Sequence, residues 1–241
     1  MNVLITGGTS GIGREFVRLL SGDGNRLFVA ARNSERLAAI SEAEKTYATD
    51  LSSAGAAKSL HSALKKDGIS VDMLINNAGF GLVGPSHEID IDSDVRMLNV
   101  NMIALTELCK LFIADMYEKG SGYILNVAST GAFQPGPYTS TYFASKAYVL
   151  SYSRALWFEA KKRGVNVCAL CPGTTKTEFF IREGVETPKY AMEPEKVAAY
   201  GLKRLMAGRA TAVPGMVNKL VRLVPSRISM AFVARLKLLN K

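Results

Sequence analysis

Short apolar runs recur along the chain, each bounded by glycine or polar residues. Val3–Thr6, Arg26–Ala31, Thr46–Thr49, Met73–Asn76, Tyr123–Ala128, Asn166–Cys171 and Thr211–Val213 have this character. They are continuous rather than alternating, which fits strands covered on both faces. Between them lie stretches with helical character: Ile12–Leu20, Ser53–Lys66, Asp94–Lys119, Thr141–Arg163 and Pro194–Ala207. Strand–helix alternation predicts an α/β fold, a doubly wound parallel sheet. Thr174–Pro194 has no periodicity and is expected to be a long loop, of the kind that often forms a lid. Helical spacing returns in Val217, Leu220, Val221 and Val224, stops at Pro225, and resumes in Ile228, Phe232, Leu236 and Leu239. The pattern therefore predicts a domain over residues 1–215 and a tail of two short amphipathic helices over 216–241.

Length and charge sharpen this division. The 241 residues suffice for one well-packed domain. The net charge is +9, but no acidic residue follows Glu195, and ten of the 30 basic residues do. The first 195 residues thus carry 20 basic against 21 acidic groups, a net of −1. The basicity belongs to the end of the chain. No apolar run approaches the roughly 18 residues of a membrane span, and "MNVLITGG" opens on a strand without a signal-peptide pattern. Three cysteines do not make a disulfide framework. A cytoplasmic location is expected.

The first strand runs into "TGGTSGIG", residues 6–13, which places Gly7, Gly11 and Gly13 between a strand and a helix. Glycine permits the tight turn, and the helix N-terminus offers N–H groups to a phosphate. The second strand ends in Ala31 and Arg32, with no acid where a dinucleotide site reading a ribose 2′-hydroxyl would carry one. A guanidinium suits a 2′-phosphate, so NADP(H) is favoured over NAD(H). Arg14 could add a second charge. Further on, "TYFASKAYVL" sets Tyr142 four residues before Lys146, on one helix face. A nearby ammonium lowers the pKa of a phenol, which is otherwise about 10 and too high for acid–base work near neutrality.

With "DL" (50–51), "NNAG" (76–79), Asn101, Ser129, "YFASK" (142–146) and "PGTTKT" (172–177) added to the glycine turn, the chain resembles the short-chain dehydrogenase/reductase family, in motif order and spacing, over residues 1 to about 215. The resemblance implies a seven-stranded Rossmann-type sheet. It implies catalysis by Asn101, Ser129, Tyr142 and Lys146: Tyr142 as general acid or base, Ser129 on the substrate oxygen, Lys146 on the tyrosine and the nicotinamide ribose, and Asn101 holding a water that links the lysine to solvent. For the cofactor it implies Gly7, Thr9, Ser10, Gly11, Ile12 and Gly13 at the phosphates. Asp50 and Leu51 fall at adenine, and Asn77, Ala78 and Gly79 run beside the dinucleotide. Pro172, Gly173, Thr175 and Thr177 fall at the nicotinamide. A homodimer or homotetramer, formed through the long helices at 94–119 and 141–163, is also implied.

The expected activity is NADP(H)-dependent oxidoreduction of a hydrophobic carbonyl or alcohol. Phe179, Phe180, Ile181, Tyr190 and Met192 in the loop, with Phe80, Val83, Phe133 and Tyr138, point to an apolar pocket, and Lys176 and Arg182 are the cations available there. The alternative is a binding protein of the same fold that senses the cofactor's redox state. Cys168 and Cys171, three apart on a strand, face opposite sides. His61 and His87 lack metal spacing, and Asp90, Asp92 and Asp94 read as an acidic helix start. The tail is expected to pack on the domain or a second subunit. Peripheral contact with an anionic membrane is the alternative, and nucleic acid is disfavoured by the scarcity of aromatic residues there.

Overall fold

The computed structural model describes residues 1–178, 188, 190–221 and 224–239, the side chains of Val221 and of 236–239 excepted. Seven strands form one sheet in the order β3-β2-β1-β4-β5-β6-β7. They are β1 (Asn2–Thr6), β2 (Arg26–Ala31), β3 (Lys45–Ala48), β4 (Met73–Asn76), β5 (Gly122–Val127), β6 (Val165–Leu170) and β7 (Thr211–Ala212). All pairings are parallel. The expected strands are present, each within a residue or so of its expected bounds.

The helices cover both faces. Leu4, Phe28, Leu74 and Ile124 point into a layer formed with α3 (Ala56–Lys66), α5 (Leu105–Lys119) and α6 (Ser140–Ala160). Val3, Ile5, Val29 and Ile75 point the other way, under α1 (Gly11–Ser21) and α7 (Pro194–Met206). Strands buried on both sides explain the continuous apolar runs. Cys171 and Cys168 go into these two different layers, as their spacing on the strand requires.

The helix expected over 94–119 begins earlier and is interrupted. α4 (Ile91–Leu98) starts with Asp90 accepting from the Ser93 N–H at 2.9 Å, a π turn follows over Asn99–Ala104, and α5 continues. The run Ile91–Lys119 is long and apolar enough to cross a bilayer by length and composition. Its apolar side, including Leu108, Phe112 and Met116, packs on the sheet instead. One helix had no periodicity to reveal it: α2 (Ser34–Ala38) has five residues, and its signal is Asn33, whose side chain accepts from the Arg36 N–H at 2.7 Å. The tail forms α8 (Met216–Val221) and α9 (Ser226–Leu239), on either side of Pro225.

A buried polar chain ties the centre together. The Asn76 amide donates to Asn126 Oδ1 at 2.9 Å, and the Asn126 amide donates to Ser153 Oγ at 2.9 Å. This joins β4, β5 and α6 just behind their site-bearing ends. Asn126→Ala would remove the oxygen acceptor of the Asn76 amide and leave it the weak acceptor Cys109 Sγ at 3.3 Å, and a poorly satisfied buried group costs about 1–3 kcal/mol. We expect a loss of about 2 kcal/mol or more, read as a lower urea midpoint at unchanged slope.

Candidate active site

The sheet order reverses between β1 and β4, and open parallel sheets bind ligands at the carboxyl ends beside such a reversal. A cleft of about 660 Å³ opens there. Its first wall is the glycine turn. Gly7 has φ +67°, and a Cβ on it would lie 2.9 Å from Ala78 Cα. Thr6 Oγ1 accepts from the N–H groups of Asn77 and Ala78, each at 3.1 Å, and the Asn77 amide donates to the carbonyls of Thr6 and Gly7 at 3.1 and 3.0 Å. The two strand ends are thereby clasped, leaving backbone where a bulky group must approach. Gly7, Thr9, Ser10, Gly11 and Ile12 line the cleft. Gly13 lies beneath it, with Gly7 O 2.2 Å from where its Cβ would be.

Arg32, Asp50 and Leu51 line the far end. Burial opposes ionisation of Asp50, but the Ser52 N–H and hydroxyl, with Arg32 and Arg96, outweigh it and hold the carboxyl below its ordinary pKa. Arg32 is exposed and, among the described residues, forms no ion pair. Arg14 does not join it: it turns to Glu42 at 2.7 Å. The second cation at this rim is Arg36 of α2, paired with Glu178 at 2.7 Å, and both line the cleft. Arg36 escaped the sequence reading because α2 did.

Ser129, Tyr142 and Lys146 line the same cleft. Ser129 follows β5 and caps a 3-10 turn over Thr130–Phe133, accepting from the Gly131 N–H at 3.0 Å. Tyr142 and Lys146 share the first turns of α6, with the amine 5.7 Å from the phenol ring centroid. Lys146 is buried and donates to Val127 O at 2.9 Å, and desolvation pulls its pKa down to about 8. Asn101 does not line the cleft. Fully buried within the π turn, its amide donates to Phe80 O at 3.0 Å and Ser145 Oγ at 3.1 Å, while its oxygen accepts from the Phe80 N–H at 3.2 Å. A Cβ on Gly79 would lie 2.9 Å from Asn101 Oδ1 and 3.3 Å from Lys146 Nζ, so Asn101 and Lys146 stand together behind that glycine.

Asn77, Ala78 and Gly79 line one side of the cleft, and Pro172, Gly173, Thr175 and Thr177 the other. Thr177 sits against Gly11, 3.0 Å from where a Cβ would be. Thr175 donates to Gly173 O at 2.9 Å and bridges to Met192, fastening the turn. Of the expected apolar wall, Phe80 and Tyr190 line the cleft, and Phe179, Phe180, Ile181 and Arg182 lie outside the described residues. The Met192 side chain packs against the layer under α1 and α7, Lys176 pairs with Glu193 at 2.5 Å, and Val83, Phe133 and Tyr138 stand off the cleft. Gln134, Phe143 and Val233 line it without having been foreseen; Val233 comes from the tail.

A family model described as short chain dehydrogenase matches residues 1–186. The chain belongs to the short-chain dehydrogenase family. It is accordingly an oxidoreductase of the NAD(P)-dependent kind, on a Rossmann-type fold. Among relatives of this family, hydroxysteroid dehydrogenase-like protein 1 of Gallus gallus is 30% identical over 224 residues, 88% of this chain and 67% of the relative. A putative ketoacyl reductase of Streptomyces coelicolor is 34% identical over 185 residues, 72% of this chain and 70% of the relative. The solved short-chain dehydrogenase from Sphingobium yanoikuyae in complex with NADPH superposes with a TM-score of 0.84 at 28% identity, covering 100% of this chain and 95% of that one.

The buried lysine has a titration consequence. The unfolded amine keeps its proton up to about 10.5 and the folded one only to about 8. Between these values the unfolded chain binds more protons, so stability rises with pH. In the cofactor-free protein, Lys146→Met should flatten that rise. The check is the difference in urea midpoint between parent and variant across pH 8 to 10.5; a constant difference would contradict the burial account.

Proposed function

We propose that the protein is an NADP(H)-dependent carbonyl reductase or alcohol dehydrogenase acting on an apolar substrate, with Tyr142 as general acid and base. The observation that carries this reading is the convergence of Ser129, Tyr142 and buried Lys146 in one cleft that continues past the glycine turn to Arg32. The residues fit a dinucleotide: the clasped turn offers bare backbone at Gly7 and Gly11, both at positive φ, as close approach of a pyrophosphate requires.

When bound, the dinucleotide supplies or accepts the hydride. In the reductive direction Ser129 holds the carbonyl oxygen and Tyr142 delivers a proton to it. In oxidation Tyr142 takes the proton from the alcohol. Lys146 holds the cofactor ribose, and its charge favours the phenolate. Asn101 is a positioning residue, fixing the Gly79–Phe80 segment and Ser145 around the lysine. The chemistry belongs to residues 1–215, and the tail contributes a wall through Val233. A homodimer or homotetramer is part of the reading, and Phe158, exposed on α6, supports a subunit contact there.

A sensor without turnover would not need the tyrosine hydroxyl, which gives the decisive test. Tyr142→Phe should abolish NADPH oxidation across a panel of ketones and aldehydes while leaving NADPH affinity nearly unchanged by fluorescence titration. Retained turnover would remove Tyr142 from its role.

Cofactor choice rests on Arg32 and the missing acid beside it. The relative solved with NADPH is consistent with that choice. Losing a charge-assisted contact to a 2′-phosphate costs about 1.5–3 kcal/mol. Arg32→Ala should therefore weaken NADPH binding by about tenfold to a hundredfold and leave NADH binding nearly as it was. Equal losses for both would assign Arg32 to adenine or to structure.

A further inference from the structure

An amphipathic helix packed on a domain normally turns its larger apolar side chains inward. Among the described side chains of the tail the pattern is reversed, those of Val221, Leu236 and Leu239 lying outside the described set. On α9, Ser229 and Val233 are buried, whereas Ile228 and Phe232 are exposed, Phe232 at 63%. On α8 the least exposed of the described side chains is Asn218, whose amide donates to Pro214 O at 2.7 Å and which packs against Gly173. Met216, Val217 and Leu220 face out, Val217 at 75%. Lys219, Arg227 and Arg235 are exposed on the same two helices, and residues 216–241 contain six basic groups and no acid.

We infer that the outward side of α8 and α9 is a docking surface for an anionic lipid bilayer, and that it sets the mouth of the cleft at the membrane so that apolar substrate enters from lipid. Interfacial helices combine an apolar face with lysine and arginine in this manner, and basic residues near an anionic surface add to the binding. A second copy of the chain is a poorer match by charge. A two-fold contact would press this surface onto its own image, positive against positive. The position is as telling as the composition. Val233 lines the cleft from the inner side of α9, together with Pro188 and Tyr190, and Tyr190 is itself 70% exposed. The helix that contributes Val233 to the cleft thus carries outward apolar side chains on its back. A hydrophobic carbonyl compound dissolved in the bilayer would reach Tyr142 without crossing bulk water. The delivery step rests on the reductase reading above; the docking step does not.

The test is flotation of the full chain with vesicles of phosphatidylcholine containing phosphatidylserine, beside vesicles of phosphatidylcholine alone. Binding should need phosphatidylserine and be reversed by high salt, since screening weakens the cationic attraction. Ile228→Asp with Phe232→Asp should lower partitioning by roughly tenfold or more. Those side chains point away from the cleft, so reduction of a water-soluble ketone should be unchanged, while reduction of a long-chain ketone held in vesicles should fall. Arg227→Gln with Arg235→Gln leaves the apolar side chains in place, removes two of the six basic groups of residues 216–241, and should by itself lower the preference for phosphatidylserine. Full-length protein that stays in the buffer at low salt overturns the proposal. If the aspartate variant also lowers the assembly mass, the surface is a subunit contact instead. Flotation without turnover on any carbonyl compound upholds the docking surface and sinks the reductase reading.

Discussion

The Lys146 amine, sunk behind the cleft, constrains everything around it. An ammonium loses its hydration there, so it must be met by protein acceptors or give up its proton. Val127 O, at the end of β5, accepts from it. Keeping that carbonyl in position requires the strand to end where it does, and the chain then turns at once to present Ser129. On the opposite side Gly79 must lack a side chain, because a Cβ would intrude on both the amine and Asn101. Asn101 is in turn held by a π turn that widens the helix where the loop after β4 passes. Tyr142, Ser129 and the loop at 79–80 are thus placed by the needs of one buried charge as much as by the sheet.

The same dependence explains what the sequence disclosed. Strands were legible because two-sided burial leaves an unmistakable apolar run, and the large helices because their lengths allow a period to show. The glycine turn and the Tyr142–Lys146 pair were legible as local spacings. What escaped was set by distant contacts. Arg36 belongs to a helix of one and a half turns whose only signal is the cap at Asn33. Arg14 read as a second charge that could join Arg32, but it pairs with Glu42. Met192 read as a pocket residue, and its side chain instead packs against the core layer under α1 and α7. The tail showed its helices and their break at Pro225, yet spacing alone could not say which side would face in. Of the side chains marking the apolar stripe, Ile228 and Phe232 face out, and those of Leu236 and Leu239 lie outside the described residues.

The clasp between Thr6, Gly7 and Asn77 has a consequence in time. "TGGTSGIG" reads as a self-contained local motif near the start of the chain. Its finished geometry is non-local: the hydrogen bonds that fix it come from a residue 70 positions later, and Thr177 closes on Gly11 later still. During synthesis, which proceeds from the N-terminus, the turn emerges first and stays without these partners until β4 has paired with β1 and β6 has joined the sheet. Long-range parallel pairing of this kind is slow, because loop closure must precede the contacts that reward it. Nucleotide binding therefore reports completion of the sheet rather than folding of the N-terminal half, and a ribosome-bound fragment that ends before β4 lacks the site even though it carries every glycine of the turn.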